Sequence, residues 1–102
     1  MRFQEGMIVK SGAGRDREGY FVIVRTEEGF AYLADGKRRP FERPKRKSFR
    51  HLKQTSCWID LAQVHTNPRL RRALRPWNDP QDPGEGTPPA AEQEGIACQN
   101  RT

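Results

Sequence analysis

The sequence predicts a mainly β fold, a small five-stranded antiparallel barrel with a short C-terminal helix and a disordered tail. Three observations support the barrel. Short runs rich in β-branched and aromatic residues recur between Met7 and Leu52, turn residues separate them every few positions, and no helical periodicity intervenes. Closure also removes the edges that an open sheet of such residues would expose to other chains.

Met7, Ile8 and Val9, within the run Gly6 to Ser11, make the first strand, which Gly12-Ala13-Gly14 turns. Arg15 to Glu18 is a charged loop tip, followed by Gly19. From Tyr20 to Thr26 lies the densest β-forming run of the chain. Alternation sets Tyr20, Val22 and Val24 on one face and Phe21, Ile23 and Arg25 on the other. Two largely apolar faces predict a central strand covered on both sides. Glu27-Glu28-Gly29 then turns into a third strand, Phe30 to Ala34, and Asp35-Gly36 is a two-residue hairpin signal. It leads into a fourth strand, Lys37 to Phe41, which Pro40 and Pro44 confine to an edge or a bend because proline cannot donate to a ladder. A fifth strand fits Lys47 to Leu52, with Phe49 on one face and Leu52 on the other.

Beyond Lys53 the pattern changes. Gln54 to Val64 carries Trp58, Ile59, Leu61 and Val64 at a spacing that suits a helical turn or an extended clasp equally. Asn67-Pro68 then reads as an N-cap before a proline at the first helical position, opening a short basic helix, Arg69 to Arg75, with Leu70, Ala73 and Leu74 on one face and Pro76 as its end. So short a helix does not persist alone in water and needs a surface to dock on. From Trp77 onward, Pro, Gly, Glu, Asp, Gln and Ala dominate, a composition too poor in apolar surface to offset its ordering entropy. The expected organisation is therefore a barrel over 1–53, a clasp and basic helix over 54–76, and a disordered acidic tail over 77–102.

Composition narrows the partners. The 102 residues carry a formal charge of +6 and a pI near 9.9 with only 33% apolar residues, enough for one small domain that associates with anions. Much of that charge is packed between Asp35 and Lys53, where Lys37, Arg38, Arg39, Arg43, Lys45, Arg46, Lys47, Arg50 and Lys53 are interleaved with Phe41, Phe49 and Leu52. The apolar residues, turned inward, would pin the run to the fold and present its cations on two adjacent strands and their connection. Like charges repel one another in an isolated protein, the prolines and aromatics stiffen the run, and arginine forks suit phosphates and base stacking. These features favour a polyanion surface over a merely solvated face.

Other chemistries are poorly supported. Gly12, Gly14 and Gly19 are followed by a strand rather than a helix, and no Gly-Lys-Ser/Thr closes them, so they read as turn glycines and not as a nucleotide loop. Backbone amides at that turn, with Arg15 and Arg17 beside them, can still meet a phosphate. His51, Cys57, His65 and Cys98 lack the paired short spacings of a zinc site, so no metal is expected. With no nucleophile near a base the chain does not read as an enzyme, and no cofactor is implied. Asn100-Arg101-Thr102 matches a glycosylation triplet by chance. Cys57 and Cys98 lie far apart in sequence and are expected to stay unpaired, which suits a reducing compartment. No stretch approaches a membrane span, so a cytoplasmic, monomeric protein without a membrane partner is expected.

The run from Gly6 to Val24, Gly-Met-Ile-Val-Lys-Ser-Gly-Ala-Gly-Arg-Asp-Arg-Glu-Gly-Tyr-Phe-Val-Ile-Val, resembles a KOW motif, the strand-loop-strand module of several ribosomal proteins and transcription elongation factors. Tyr32-Leu33-Ala34-Asp35-Gly36-Lys37, Arg43 to Lys47 and His51-Leu52-Lys53 resemble more closely a set of small bacterial KOW-domain RNA-binding proteins, which are related to a large-subunit ribosomal protein of archaea and eukaryotes. The resemblance covers roughly the first half of the chain. It implies an SH3-like barrel that binds RNA, ribosomal RNA included, in a ribosome- or translation-associated role, with the loop from Gly14 to Arg17 and the basic strands as the contact surface. With the charge reading, it makes Lys10, Arg15, Arg17, Lys37, Arg38, Arg39, Arg43, Lys45, Arg46, Lys47, Arg50 and Lys53 the expected RNA contacts, joined by Tyr20 or Tyr32 for base or ribose contact. The competing reading is a protein-interaction module that docks an acidic transcription or translation partner.

Overall fold

A computed structural model describes residues 3–12, 19–78 and 95–98. The elements are β1 (Met7–Ser11), β2 (Tyr20–Glu27), β3 (Phe30–Ala34), β4 (Lys45–Ser48), a 3-10 turn (Phe49–His51), β5 (Leu52–Ile59), α1 (Asn67–Asn78) and β6 (Ile96–Cys98). All strands belong to one antiparallel sheet in the order β4-β3-β2-β1-β5-β6. The mainly β class is as expected, but the five-stranded closed barrel is not what forms. The sheet has six strands, and among the described residues no ladder joins β4 to β5, because β5 gives its second edge to β6.

The two apolar faces of β2 explain the architecture. On one face Ile8, Val22 and Ala34, directly paired across β1, β2 and β3, are 0% exposed and share a cluster with Leu70, Ala73 and Leu74 of α1. This is the docking surface that the short helix requires. On the other face Met7, Val9, Phe21, Ile23, Ala31, Leu33 and Leu52 form a second cluster, edged by Phe3, Phe49 and Trp58. β4 and β5 lie four places apart in the sheet order yet only Phe49–His51 link them, so the sheet must curl, and Phe49 and Leu52 at that link join this second cluster. The helix face is therefore convex and the second face concave.

Two bulges produce the bend and correct the expected alternation. Ile23 pairs with Leu33, but Arg25 pairs with Tyr32, leaving Val24 as an extra residue in β2. That one-residue slip moves Arg25 onto the convex face with Tyr32 rather than leaving it with Phe21 and Ile23. A second irregularity lies between Met7 and Val9, opposite residues 54–58 of β5. There the Thr55 hydroxyl donates to the Ile8 carbonyl at 2.6 Å and accepts from the Cys57 N–H at 3.1 Å, so the interrupted ladder leaves neither backbone group unpaired.

Other boundaries shift for local reasons. No strand forms over Lys37 to Phe41. The Asp35 carboxylate accepts the N–H groups of Lys37 and Arg39, both at 2.9 Å, and the Arg39 carbonyl accepts those of Asp35 and Gly36, so side chain and turn consume the groups a ladder would use. The strand begins only after Pro44. The strand expected at Lys47 to Leu52 is instead the end of β4, the 3-10 turn and the first residue of β5. Phe49 and Leu52 therefore join the same concave cluster, whereas Phe41 packs on the helix side. β5 continues to Ile59, so the barrel boundary expected at residue 53 falls within a strand. Thr66 rather than Asn67 caps the helix, since its Oγ1 accepts the Arg69 N–H at 3.3 Å, and α1 runs through Pro76 to Asn78. Most of the expected disordered tail, 79–94 and 99–102, lies outside the described residues. Within its span, however, Ile96–Cys98 forms a strand with Ile96 buried.

The cysteines are the clearest correction. Cys57 and Cys98 are directly paired across β5 and β6 and are joined by a disulfide, although 41 residues separate them. Strand pairing brought together what sequence distance suggested was apart, and the argument from unpaired cysteines to a reducing compartment falls with it. No described helix is long and apolar enough to cross a membrane. Breaking the bond by reduction, or by Cys98→Ser, is expected to lower the unfolding free energy by about 4 kcal/mol, the chain-entropy value for a crosslink spanning 41 residues. An unchanged urea midpoint in the variant would show that the bond does not constrain the fold.

Candidate nucleic-acid interface

The expected RNA contacts divide between two faces and one loop. β3 and β4 pair Leu33 with Lys45, Tyr32 with Arg46 and Ala31 with Lys47. Lys45 and Lys47 therefore stand side by side at the rim of the concave face, while Arg46 points to the convex face. Partial burial, and Lys47 beside it, hold the Lys45 ammonium below the ordinary lysine range. Arg50 is exposed on the 3-10 turn and does not join a strand. Arg15 and Arg17 lie outside the described residues.

Lys37, Arg38 and Arg39 sit on a loop that is locked to the helix. Gly36 has φ +79°, and a Cβ there would run into the Asn67 carbonyl oxygen and lie 2.9 Å from the Arg71 nitrogen, so only glycine lets the loop approach α1 this closely. The Asn67 side chain completes the attachment: its Oδ1 accepts the Phe41 N–H at 2.8 Å and its Nδ2 donates to Glu42 Oε1 at 3.0 Å. That contact holds the Glu42 carboxyl below the usual carboxylate range. The carboxylates nearest the basic loop, Asp35 and Glu42, are thus engaged by N–H groups of the scaffold. At the opposite end of α1 the Asn78 side chain accepts from the Tyr20 N–H at 2.8 Å and donates to the Tyr20 carbonyl at 3.0 Å, tying the helix to the start of β2.

This placement identifies residues that sequence reasoning did not assign to the interface. Arg69, Arg71, Arg72 and Arg75 are exposed on α1, opposite the buried Leu70, Ala73 and Leu74. At 12 residues the helix is about 18 Å long. It leads from the basic loop at Gly36 to Tyr20, where Lys10 lies 5.7 Å from the ring centroid and directly opposite Lys53. Cations that are remote in sequence are brought to one side of the molecule. The signal was present in the alternation of arginines with Leu70, Ala73 and Leu74, but only the docked helix shows where the arginines face.

The electrostatics run against isolated stability. α1 contains no acidic residue, so it lacks the i,i+4 ion pairs of an ordinary solvated helix, and Arg69 opposes the helix dipole in the first turn. Lys10 and Lys53, directly opposite each other, also repel. Bound phosphates would relieve all three. Neither the family models nor the curated proteins contain a match to this chain.

Gly36→Ala is expected to lower stability by about 1–2 kcal/mol through the positive φ alone, with the collision adding to it, and to weaken polyanion binding beyond what unfolding accounts for. A urea titration with a parallel binding isotherm measures both. Because Lys45 loses its proton before an unfolded lysine does, the unfolded chain binds more protons between the two pKa values, and this group's contribution makes stability rise with pH there. Inorganic polyphosphate should move the Lys45 midpoint upward, which side-chain NMR can follow.

Proposed function

We infer that the protein binds RNA, as an SH3-like KOW-type module whose basic side contacts phosphates. The observation that carries this reading is the seating of the Lys37–Arg39 loop on the first turns of α1 at Gly36, which fixes two basic segments, remote in sequence, against each other. Arginine-rich, rigidly held cations suit the spaced charges of a nucleic-acid backbone. The sequence resemblance points to RNA, and to ribosomal RNA or another translation-linked RNA in particular. A-form RNA offers backbone and shape more than base edges, so phosphate contacts dominate affinity. A cytoplasmic location is inferred from the RNA partner alone, since the Cys57–Cys98 disulfide does not suit a reducing compartment.

If about six phosphates of a single strand are neutralised, log K should fall against log salt with a slope near −4. A slope near zero contradicts the proposal. Replacing Arg69, Arg72 and Arg75 with Gln should make the slope shallower by about 2 at an almost unchanged melting temperature. Retention of an acidic protein but not of RNA would favour the docking module instead.

A further inference from the structure

Two aromatic side chains serve neither core. Every other aromatic residue of the chain belongs to, or packs against, one of the two apolar clusters, whereas Phe30 and Tyr32 appear in neither. They are half-buried neighbours on the convex face of β3, two positions and so about 7 Å apart. Each has a guanidinium on its ring. Arg46 lies 4.0 Å from the Phe30 centroid and Arg25 lies 4.3 Å from that of Tyr32. The bulge at Val24 is what brings Arg25 there, and β4 brings Arg46 from the other side, so three strands contribute to one patch. Glu27 sets its geometry: it accepts the Tyr32 hydroxyl at 3.0 Å and pairs with Arg25 at 3.7 Å, while the Arg25 side chain stays 59% exposed.

We propose that Phe30, Tyr32, Arg25 and Arg46 form a stacking platform for unpaired bases of single-stranded RNA. The proposal rests on the RNA-binding reading and names the form of RNA that this face takes. The guanidinium over each ring presents its own outer plane, so each ring–guanidinium pair, at successive positions of a sheet, gives a π surface on which one of two neighbouring bases can lie, and stacking of this kind tolerates any base sequence. Positive charge beside each ring supplies the phosphate attraction that an apolar patch lacks. The Glu27 carboxylate adds an acceptor for a base amino group. Paired bases in a duplex keep their faces covered by their neighbours, so a duplex cannot use the platform.

The test compares three probes on the full-length protein: a short labelled single-stranded RNA, the same RNA annealed to its complement, and inorganic polyphosphate, which has charge but no bases. The single strand should bind more tightly than the duplex. The double variant Phe30→Leu with Tyr32→Leu should weaken single-strand binding roughly tenfold or more and leave polyphosphate binding unchanged. Tyr32→Phe, which keeps the ring and loses only the hydroxyl bound to Glu27, should lose far less single-strand affinity than the leucine variant. Arg25→Lys with Arg46→Lys, which keeps the charge but loses the plane, should weaken the single strand selectively. Unaltered single-strand affinity in the leucine variant overturns the platform while leaving RNA binding standing, as does an equal loss for RNA and polyphosphate. A native protein that binds none of the three probes overturns both.

Discussion

The row Ile8, Val22 and Ala34 is the constraint on which the rest of the structure depends. A sheet this small has one face it can cover by bending, and the concave cluster around Phe21 and Leu33 takes it. The convex row has no such recourse. Leaving three fully apolar positions in water would cost several kcal/mol at roughly 25 cal/mol per Å², so a second layer is needed, and α1 supplies it with Leu70, Ala73 and Leu74. Asn67 and Asn78 then hold the two ends of that layer. Ile96 joins the same cluster from β6, and the Cys57–Cys98 bond keeps it there.

The proposed RNA-binding side grows from this covering. A helix needed for burial has a solvent side to spare, and the sequence places arginine at its exposed positions. Docking also makes Gly36 the meeting point of loop and helix, so one packing event orders both basic segments. Phe30 and Tyr32 lie on the same convex face but in neither cluster, and their rings carry guanidinium groups. Burial thus divides the convex face into a helix seat and a half-buried aromatic patch that Arg25 and Arg46 cover.

Much of the scaffold was legible in the sequence. The two-faced alternation of Tyr20 to Thr26 gave a central strand covered on both sides, Phe30 to Ala34 gave its neighbour, and the spacing of Leu70, Ala73 and Leu74 gave the buried side of the helix. What escaped depends on long-range pairing. The bulge at Val24 reverses the side on which Arg25 lies, and nothing local marks it. Asp35-Gly36 has the composition of a tight hairpin, yet the Asp35 carboxylate and the approach of Asn67 turn it into a wider loop. Asn67 looked like a cap because of Pro68, but Thr66 caps and Asn67 reaches across to Phe41. Cys98 seemed remote because a three-residue strand in a polar segment carries almost no periodic signal. Of the interface, the sequence showed the cations of Lys37 to Lys53 but not their division between faces, nor the part played by the helix.

We propose that the convex side, from the Lys37–Arg39 loop across α1 to Lys10 and out to Phe30 and Tyr32, is one RNA-binding surface. Amide chemical-shift mapping on the isotopically labelled protein during titration with a short single-stranded RNA tests it most directly. The account predicts perturbations concentrated at Arg25, Phe30, Tyr32, Gly36 to Arg39, Arg46 and the arginine positions of α1, with Ile59 to Gln63 and β6 unmoved. Shifts centred on residues 54–59, β6 and the turn after Ile59, with the convex side silent, would contradict it.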